Sequence, residues 1–243
     1  MMQRLLIGLG AVVVVAAAAW VAFTWNKGGG GYAGPVTTVA APLKNPMGDP
    51  PDRKEPGQAH YRQGRYPEAI ALWTAAAAAG DVVAAHRLGV EYMDGKPEVV
   101  ARDYAKALQY HMQAAMAGDA MSMFDVGSIY EFGYGVPRDI AQAATWYGHS
   151  ADYGLAQGQH NFATMLETGE GVAKDEVEAY KFFILAARGG FTGVPYDNRS
   201  LRIDEHAPLP TQLLEQRLSP QQQADGRARA NTFKRMVGPL KAG

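Results

Sequence analysis

The stretch GYGVPRDIAQAATWY, residues 133–147, returns 36 residues later as GEGVAKDEVEAYKFF, residues 169–183. Each copy reads Gly-x-Gly-Val, one variable residue, a base and an aspartate, followed by apolar residues at helical spacing. Glycine supplies the positive φ of a tight loop, and aspartate caps the free N–H groups of a helix start, so the phrase predicts a loop that enters a helix. Asp139 with Gln142 and Asp175 with Glu178 keep capping-box spacing, and Asp103 in ARDYAKAL takes the corresponding place one unit earlier. That earlier loop, DGKPEVVARD, is two residues longer, which predicts a bulge over Lys96 to Val100 on one rim.

Other landmarks keep the same period. Gly80, Gly118, Gly154 and Gly190 are spaced by 38, 36 and 36 residues; Gly89, Gly127 and Ala163 by 38 and 36. Ala69, Ala107, Ala143 and Ala179 stay in register, as do Leu72, Tyr110, Trp146 and Phe182. A period held through four landmarks predicts an all-α fold: an α/α solenoid of stacked helix pairs, each unable to bury its apolar face alone. In this reading the small residues at 89, 127 and 163 let neighbouring helices approach, and the rings at 110, 146 and 182 fill the space between units. Gly80, Gly118 and Gly154 suit left-handed C-terminal caps. GRYPEAIALWTAAAAAGD (64–81) reads as a leading second helix with a short partner over 57–63. LSPQQQADGRARANTFKRMV (218–237) reads as a closing helix, with Ser219 as cap, Pro220 in the first position and Gln222 in the third. The segment between reads as mostly irregular.

Ahead of the periodic region stand two segments of different composition. LLIGLGAVVVVAAAAWVAFTW, Leu5 to Trp25, carries no charge over 21 residues, about 30 Å of helix and enough for one bilayer core. Trp20 and Trp25 suit the membrane interface and Arg4 and Lys27 flank the run. An uncleaved transmembrane anchor is the favoured reading; a cleaved signal sequence with an exit near Ala17 to Ala19 is the alternative. The Gly- and Pro-rich residues 28–56 read as a tether without a core. The division expected is 1–27 anchor or signal, 28–56 linker, 57–190 repeat solenoid and 191–243 irregular segment with capping helix, on the periplasmic side of an inner membrane. Zero cysteines exclude a disulfide framework and thiolate-held metals, and a net charge of −1 gives no global pull toward nucleic acid.

The residues LGVEYMDGK…ARDYAKALQYHMQAAMAGDA, VGSIYEFGYGVPRDIAQAATWYGHSADYG and ATMLETGEGVAKDEVEAYKFFILAARGG resemble Sel-one-like repeats, relatives of the tetratricopeptide repeat, over about residues 64 to 190. Ala163 in place of the usual glycine and the two-residue insertion depart from the pattern. The resemblance implies an α/α superhelix that serves as a scaffold or adaptor for protein partners in the bacterial envelope, without a cofactor.

His86 and His160 share one register with Phe124, which points to a half-buried ring position before it points to a metal. Met112, Met116, Met121 and Met123 beside His111 suit helix packing before soft-metal binding. Arg227, Arg229, Lys234 and Arg235 suit a solvated helix face. No nucleophile elbow, Ser-x-x-Lys pair or metalloprotease helix is present in the sequence. The positions that vary in register are Arg87, Asp125 and Asn161, then Val90, Ser128 and Thr164. Stacked first helices would align them on the inner curve, where solenoids bind partners, so they are the candidate partner-binding residues. A ligand-binding or hydrolytic protein with a site in the same groove, and an accessory subunit of a membrane complex, are the alternatives.

Overall fold

A computed structural model describes residues 57–191 and 208–240, together with the backbone of 196–197 and 202–203. The apolar run Leu5–Trp25 and the linker 28–56 lie outside the described residues. No helix among the described residues is long and apolar enough to cross a membrane.

The helices follow in pairs: α1 (Gln58–Arg62) with α2 (Tyr66–Ala78), α3 (Val82–Asp94) with α4 (Tyr104–Met116), α5 (Ala120–Phe132) with α6 (Ile140–Asp152), and α7 (Ala156–Thr168) with α8 (Glu176–Arg188). Each helix packs on the next, and α5 also touches α7, so the pairs stack as an α/α solenoid. A two-residue antiparallel ladder pairs β1 (Tyr196–Asp197) with β2 (Arg202–Ile203), and α9 (Pro210–Glu215) and α10 (Pro220–Thr232) follow. The helix α9 lies in a region that reads as irregular in the sequence.

The repeated phrase builds the same loop in each unit. The amides of Asp103, Asp139 and Asp175 donate to the carbonyls of Tyr92, Tyr130 and Leu166, each at 2.9 Å. Their carboxylates then accept from Lys106, Gln142 and Glu178 N–H, capping α4, α6 and α8 at about 1 kcal/mol apiece. The base in the phrase also has a job: the guanidinium groups of Arg102 and Arg138 donate to the last carbonyls of the preceding helices, Asp94 and Glu131. The second glycine is needed twice over at Gly171, where φ is +74° and a Cβ would stand 2.3 Å from the Ile140 carbonyl oxygen. A full reciprocal capping box forms at α10, between Ser219 and Gln222. At Asp175 the return bond is replaced, because the Glu178 carboxylate is taken by Lys181 and Arg229.

First helices carry caps of their own, Asp81 on α3 and Asp119 on α5, whereas α7 begins at Leu155 without a side-chain cap. The second helices end in a common motif in which the amides of Asp81, Asp119, Leu155 and Phe191 reach back to the carbonyls of Ala76, Ala114, Ser150 and Ala186. Of the register expected to fill the space between units, Trp146 and Phe182 are buried and Tyr110 is half-buried, stacked on Tyr92. Leu72 departs from that expectation: it is 40% exposed, and its neighbour Trp73 is the buried ring of α2. The reason is the short α1, which offers α2 a single turn's worth of partner, so the core rotates toward Tyr61 and Trp73, whose rings lie 5.2 Å apart. The expected bulge at Lys96 to Val100 is a small bridge that folds back on this end, setting the Lys96 ammonium 3.7 Å from the Tyr66 ring centre.

At the other end α10 packs on α8, with Gly226 against the Tyr180 ring and Arg227 donating to the Tyr180 hydroxyl. The helix stops at Thr232, short of the expected Val237. Residues 233–240 then run back along the stack as an extended strap. Arg188 at the end of α8 donates to the Ala230 carbonyl, Met236 N–H donates to Asp152 O at the end of α6, and Leu240 N–H donates to Met116 O at the end of α4. Tyr153 adds a hydroxyl bond to the Gly238 carbonyl.

Candidate functional site

The six candidate partner-binding residues all lie on first helices: Arg87 and Val90 on α3, Asp125 and Ser128 on α5, Asn161 and Thr164 on α7. Arg87 and Thr164 are exposed, and the other four are half-buried. The structure does not bring the six together as one cluster; it engages three of them in contacts with second helices. Thr164 bonds back to its own helix, its hydroxyl donating to His160 O.

Those contacts are organised by a ring slot that the sequence spacing holds one place beyond the register at 110, 146 and 182. His111, Tyr147 and Phe183 stand 36 residues apart on second helices, and each meets a ring from its own first helix. The pairs are His86–His111 at 5.6 Å, Phe124–Tyr147 at 5.3 Å and His160–Phe183 at 5.3 Å between ring centres. The small residues beneath the slot serve it directly. A Cβ on Gly89 would stand 2.7 Å from the His111 ring, and one on Gly127 2.8 Å from the Tyr147 ring.

In the middle unit the slot is polar at its rim, and its phenol is hydrogen-bonded. Tyr147 donates its hydroxyl to Glu131 Oε2 at 2.5 Å, Ser128 Oγ lies 3.0 Å away, and Asn161 of the next unit bonds the same hydroxyl. Burial first, and the bond to Glu131 second, push the phenol well above its ordinary range.

In the first full unit the same slot holds two imidazoles and a carboxylate. Asp125 reaches from α5 to place Oδ2 3.3 Å from His111 Nδ1 and 3.9 Å from His86 Nδ1. Asp119 lies 3.1 Å from His86 Nδ1, and Ser122 Oγ 2.9 Å from it. Asp119 is itself held by Ser122, through the backbone N–H at 2.9 Å and the hydroxyl at 2.6 Å. Burial, then the neighbouring His86, lower His111 to about 3. Burial raises Asp125 to about 6. Burial opposes charge on His86 too, but the bond to Asp119 and the charges of Asp119 and Asp125 outweigh it and raise the imidazole. Asp119 is lowered in turn, its burial outweighed by His86 and Ser122, so the two shifts agree on an ion pair.

His111 is 1% exposed, and its Nδ1 has no hydrogen-bond partner; neither has Asp125 Oδ2, which faces it. The unit-two partners are missing because Val90 and Met93 occupy the registers of Ser128 and Glu131. Ligand atoms of His86, His111 and Asp125 all lie within 4.8 Å of one another, the single group among the described residues able to hold a metal ion in this way. Spacing alone missed it because its members come from α3, α4 and α5, at separations of 25 and 14 residues. A signal was present: the slot register carries His in both members only here.

Of the remaining candidates Met121 is exposed, and the others pack or form ion pairs. Met123 is fully buried, with Met112 and Met116 packed against the same cluster. His160 sits between the rings of Phe183 and Phe191. Arg229 pairs with Asp225 and Glu178, and Arg227 lies 3.7 Å from Glu215.

Comparison with known proteins agrees with this architecture. A search of the curated proteins returns no match. Among solved structures, a protective antigen present in uropathogenic Escherichia coli strains, displaying an SLR fold, is 31% identical with a TM-score of 0.51, over 54% of this chain and 29% of that one. A Sel1 repeat protein from Oxalobacter formigenes is 26% identical with a TM-score of 0.51, over 54% of each chain. This chain therefore matches about a third and about half of the lengths of those two proteins. The Sel1 repeat model matches residues 59–81, 82–119, 120–155 and 149–191, more than half of the sequence, so the chain belongs to the Sel1 repeat family.

Proposed function

We propose that this chain is a membrane-tethered scaffold that grips a segment of a protein partner along its first helices. Sel1-repeat proteins are in general non-enzymatic protein-interaction scaffolds. The observation that carries the finer reading is the contrast along α3, α5 and α7. Packing positions repeat from unit to unit, while Arg87, Asp125 and Asn161, and likewise Val90, Ser128 and Thr164, change chemistry at a fixed place. Residues that change chemistry at a fixed register are where recognition can be written, and Asp125, Ser128 and Asn161 do so while also meeting second-helix rings. Arg87 and Thr164 are exposed at its two ends, and the strap 233–240 is bonded instead to the ends of the second helices α4 and α6. Leu5–Trp25 supplies the membrane attachment in this reading, with the repeats on the export side.

The test is a crosslinking pull-down from intact membranes, using the full chain, a chain whose residues 1–27 are replaced by an unrelated export signal, and the full chain carrying Arg87→Glu with Thr164→Arg. One partner captured by the first two and lost from the third supports recognition by the repeats. Capture that needs the native residues 1–27 transfers the interface to the membrane segment and makes the chain an accessory subunit of a membrane complex. Unchanged capture by the double variant removes the first-helix face from the interface.

A further inference from the structure

The His86–His111–Asp125 cluster is the ring slot in which two buried polar atoms without partners face each other. In the second unit the buried phenol of the ring slot is bonded by Glu131, Ser128 and Asn161; in the first, His111 Nδ1 and Asp125 Oδ2 face each other at 3.3 Å with no hydrogen bond between them. With its proton on Nε2, His111 presents a lone pair at Nδ1, and that lone pair and the carboxylate oxygen are both acceptors. Leaving two such atoms buried and opposed is unfavourable, so something positive belongs between them. A proton shared by the pair is one solution; a metal ion is the other.

Geometry and donor chemistry select between them. Tetrahedral coordination at about 2.0–2.2 Å from nitrogen and oxygen sets neighbouring ligand atoms roughly 3.3–3.5 Å apart, which the His111–Asp125 separation already matches. A shared proton would need only those two atoms, yet a third group is aimed at the same point: His86 Nδ1 stands 3.9 Å from Asp125 Oδ2. The His86 ring is held by Asp119, which is anchored by both the N–H and the hydroxyl of Ser122. Asp119 meets the same nitrogen, 3.1 Å from His86 Nδ1, so it stands beside the site as a candidate further ligand and not as a support on the far side of the ring. We propose that His86, His111 and Asp125 form a binding site for a borderline divalent transition-metal ion of the zinc class, with the fourth position filled by Asp119 or water. Two imidazoles and one carboxylate suit Zn²⁺ and its neighbours and do not suit Mg²⁺ or Ca²⁺, which ask for all-oxygen shells. Asp119 and Asp125 together balance the ion's charge; Arg87 and Asp94 are the other charged groups whose fields reach the cluster. Ligands drawn from α3, α4 and α5 would make the ion a staple between the first full repeat and the second. This inference shares Asp125 with the scaffold reading, but its test reads metal binding and not partner capture.

The test uses the full chain in detergent micelles, stripped with chelator and titrated with ZnCl₂ by calorimetry and with CoCl₂ by visible absorption. One Zn²⁺ per chain, bound at micromolar Kd or tighter, with the intense Co²⁺ bands of a four- or five-coordinate site, is the expected result. Two variants carry the assignment. Asp125→Asn is isosteric, and His86→Phe installs the ring that the second unit already accommodates at Phe124, so the fold is preserved by the repeat's own precedent. Each should weaken Zn²⁺ binding at least about tenfold, while His149→Gln on α6 should leave it unchanged. Absence of stoichiometric binding to the wild type, weak octahedral Co²⁺ bands, or unchanged binding by both variants overturns the site; the first of these leaves the shared proton as the explanation of the facing atoms.

Discussion

Two ring slots, 36 to 38 residues apart in sequence and one repeat apart in space, solve the same packing problem with different chemistry. In the second unit Phe124, Tyr147 and Asn161 meet with Ser128 and Glu131, and the buried phenol is bonded from several sides. In the first unit the same registers hold His86, His111 and Asp125, with Val90 and Met93 where Ser128 and Glu131 would be, and two buried polar atoms are left without partners. A solenoid repeats geometry because neighbouring units must stack, but it need not repeat the chemistry inside a slot of fixed shape. The slot in which two unpartnered atoms face each other is therefore the one where an outside species is expected.

The contrast can be broken most severely from below. Gly127→Val would drive a branched side chain into the Tyr147 ring, which a single Cβ already approaches to 2.8 Å, and Tyr147 cannot retreat without losing its hydroxyl bonds. A loss of about 3 kcal/mol in chemical denaturation is expected. Ala163 is native at the same register in the third unit, so an equally large cost for Ala163→Gly would contradict the account. Removing only the hydroxyl by Tyr147→Phe should cost less, about 1–2 kcal/mol, through the stranded Ser128 and Glu131.

The third slot sharpens the comparison through pH. Burial lowers His160 below its ordinary value, and its Nδ1 is also buried without a partner. A group whose folded pKa is depressed contributes stability that is present above its unfolded value, about 6.5, and lost as pH falls below it. His160→Phe, which copies Phe124, should therefore stabilise the protein, with a gain that grows as pH drops from 7 to 5 in thermal melts. A gain that is flat across that range would mean that His160 does not titrate against burial. The smallest effect on stability belongs to Arg87→Glu, an exposed change expected to stay within about 0.5 kcal/mol. Its consequence should appear in partner capture, and the reverse pattern would move Arg87 from recognition to the fold.

Much of this architecture is legible from sequence because it rests on local rules. The aspartates at 103, 139 and 175 cap helices through bonds spanning three residues, the loop glycines answer to backbone geometry, and the alternation of small and large residues carries the period. Asp125 was legible as a position that varies in register, but not as a group turned toward two histidines. That depends on how α5 stacks on α3 and α4, and no local spacing encodes it. The strap 233–240 was missed for a related reason: it has no periodicity, and FKRMV continues the composition of α10. Only the carbonyls offered at the ends of α4 and α6 draw it into an extended path.

The sequence by itself determined the all-α class, the repeat length, the loops, the caps and the family, since each depends on residues within one or two turns of each other or on a period that stacking requires. The tertiary structure alone decided which side chains share a slot across helices, where a polar group is left buried without a partner, and how the C-terminal segment returns along the stack. Those outcomes depend on distances between residues far apart in the chain, and such distances are fixed only when the helices pack.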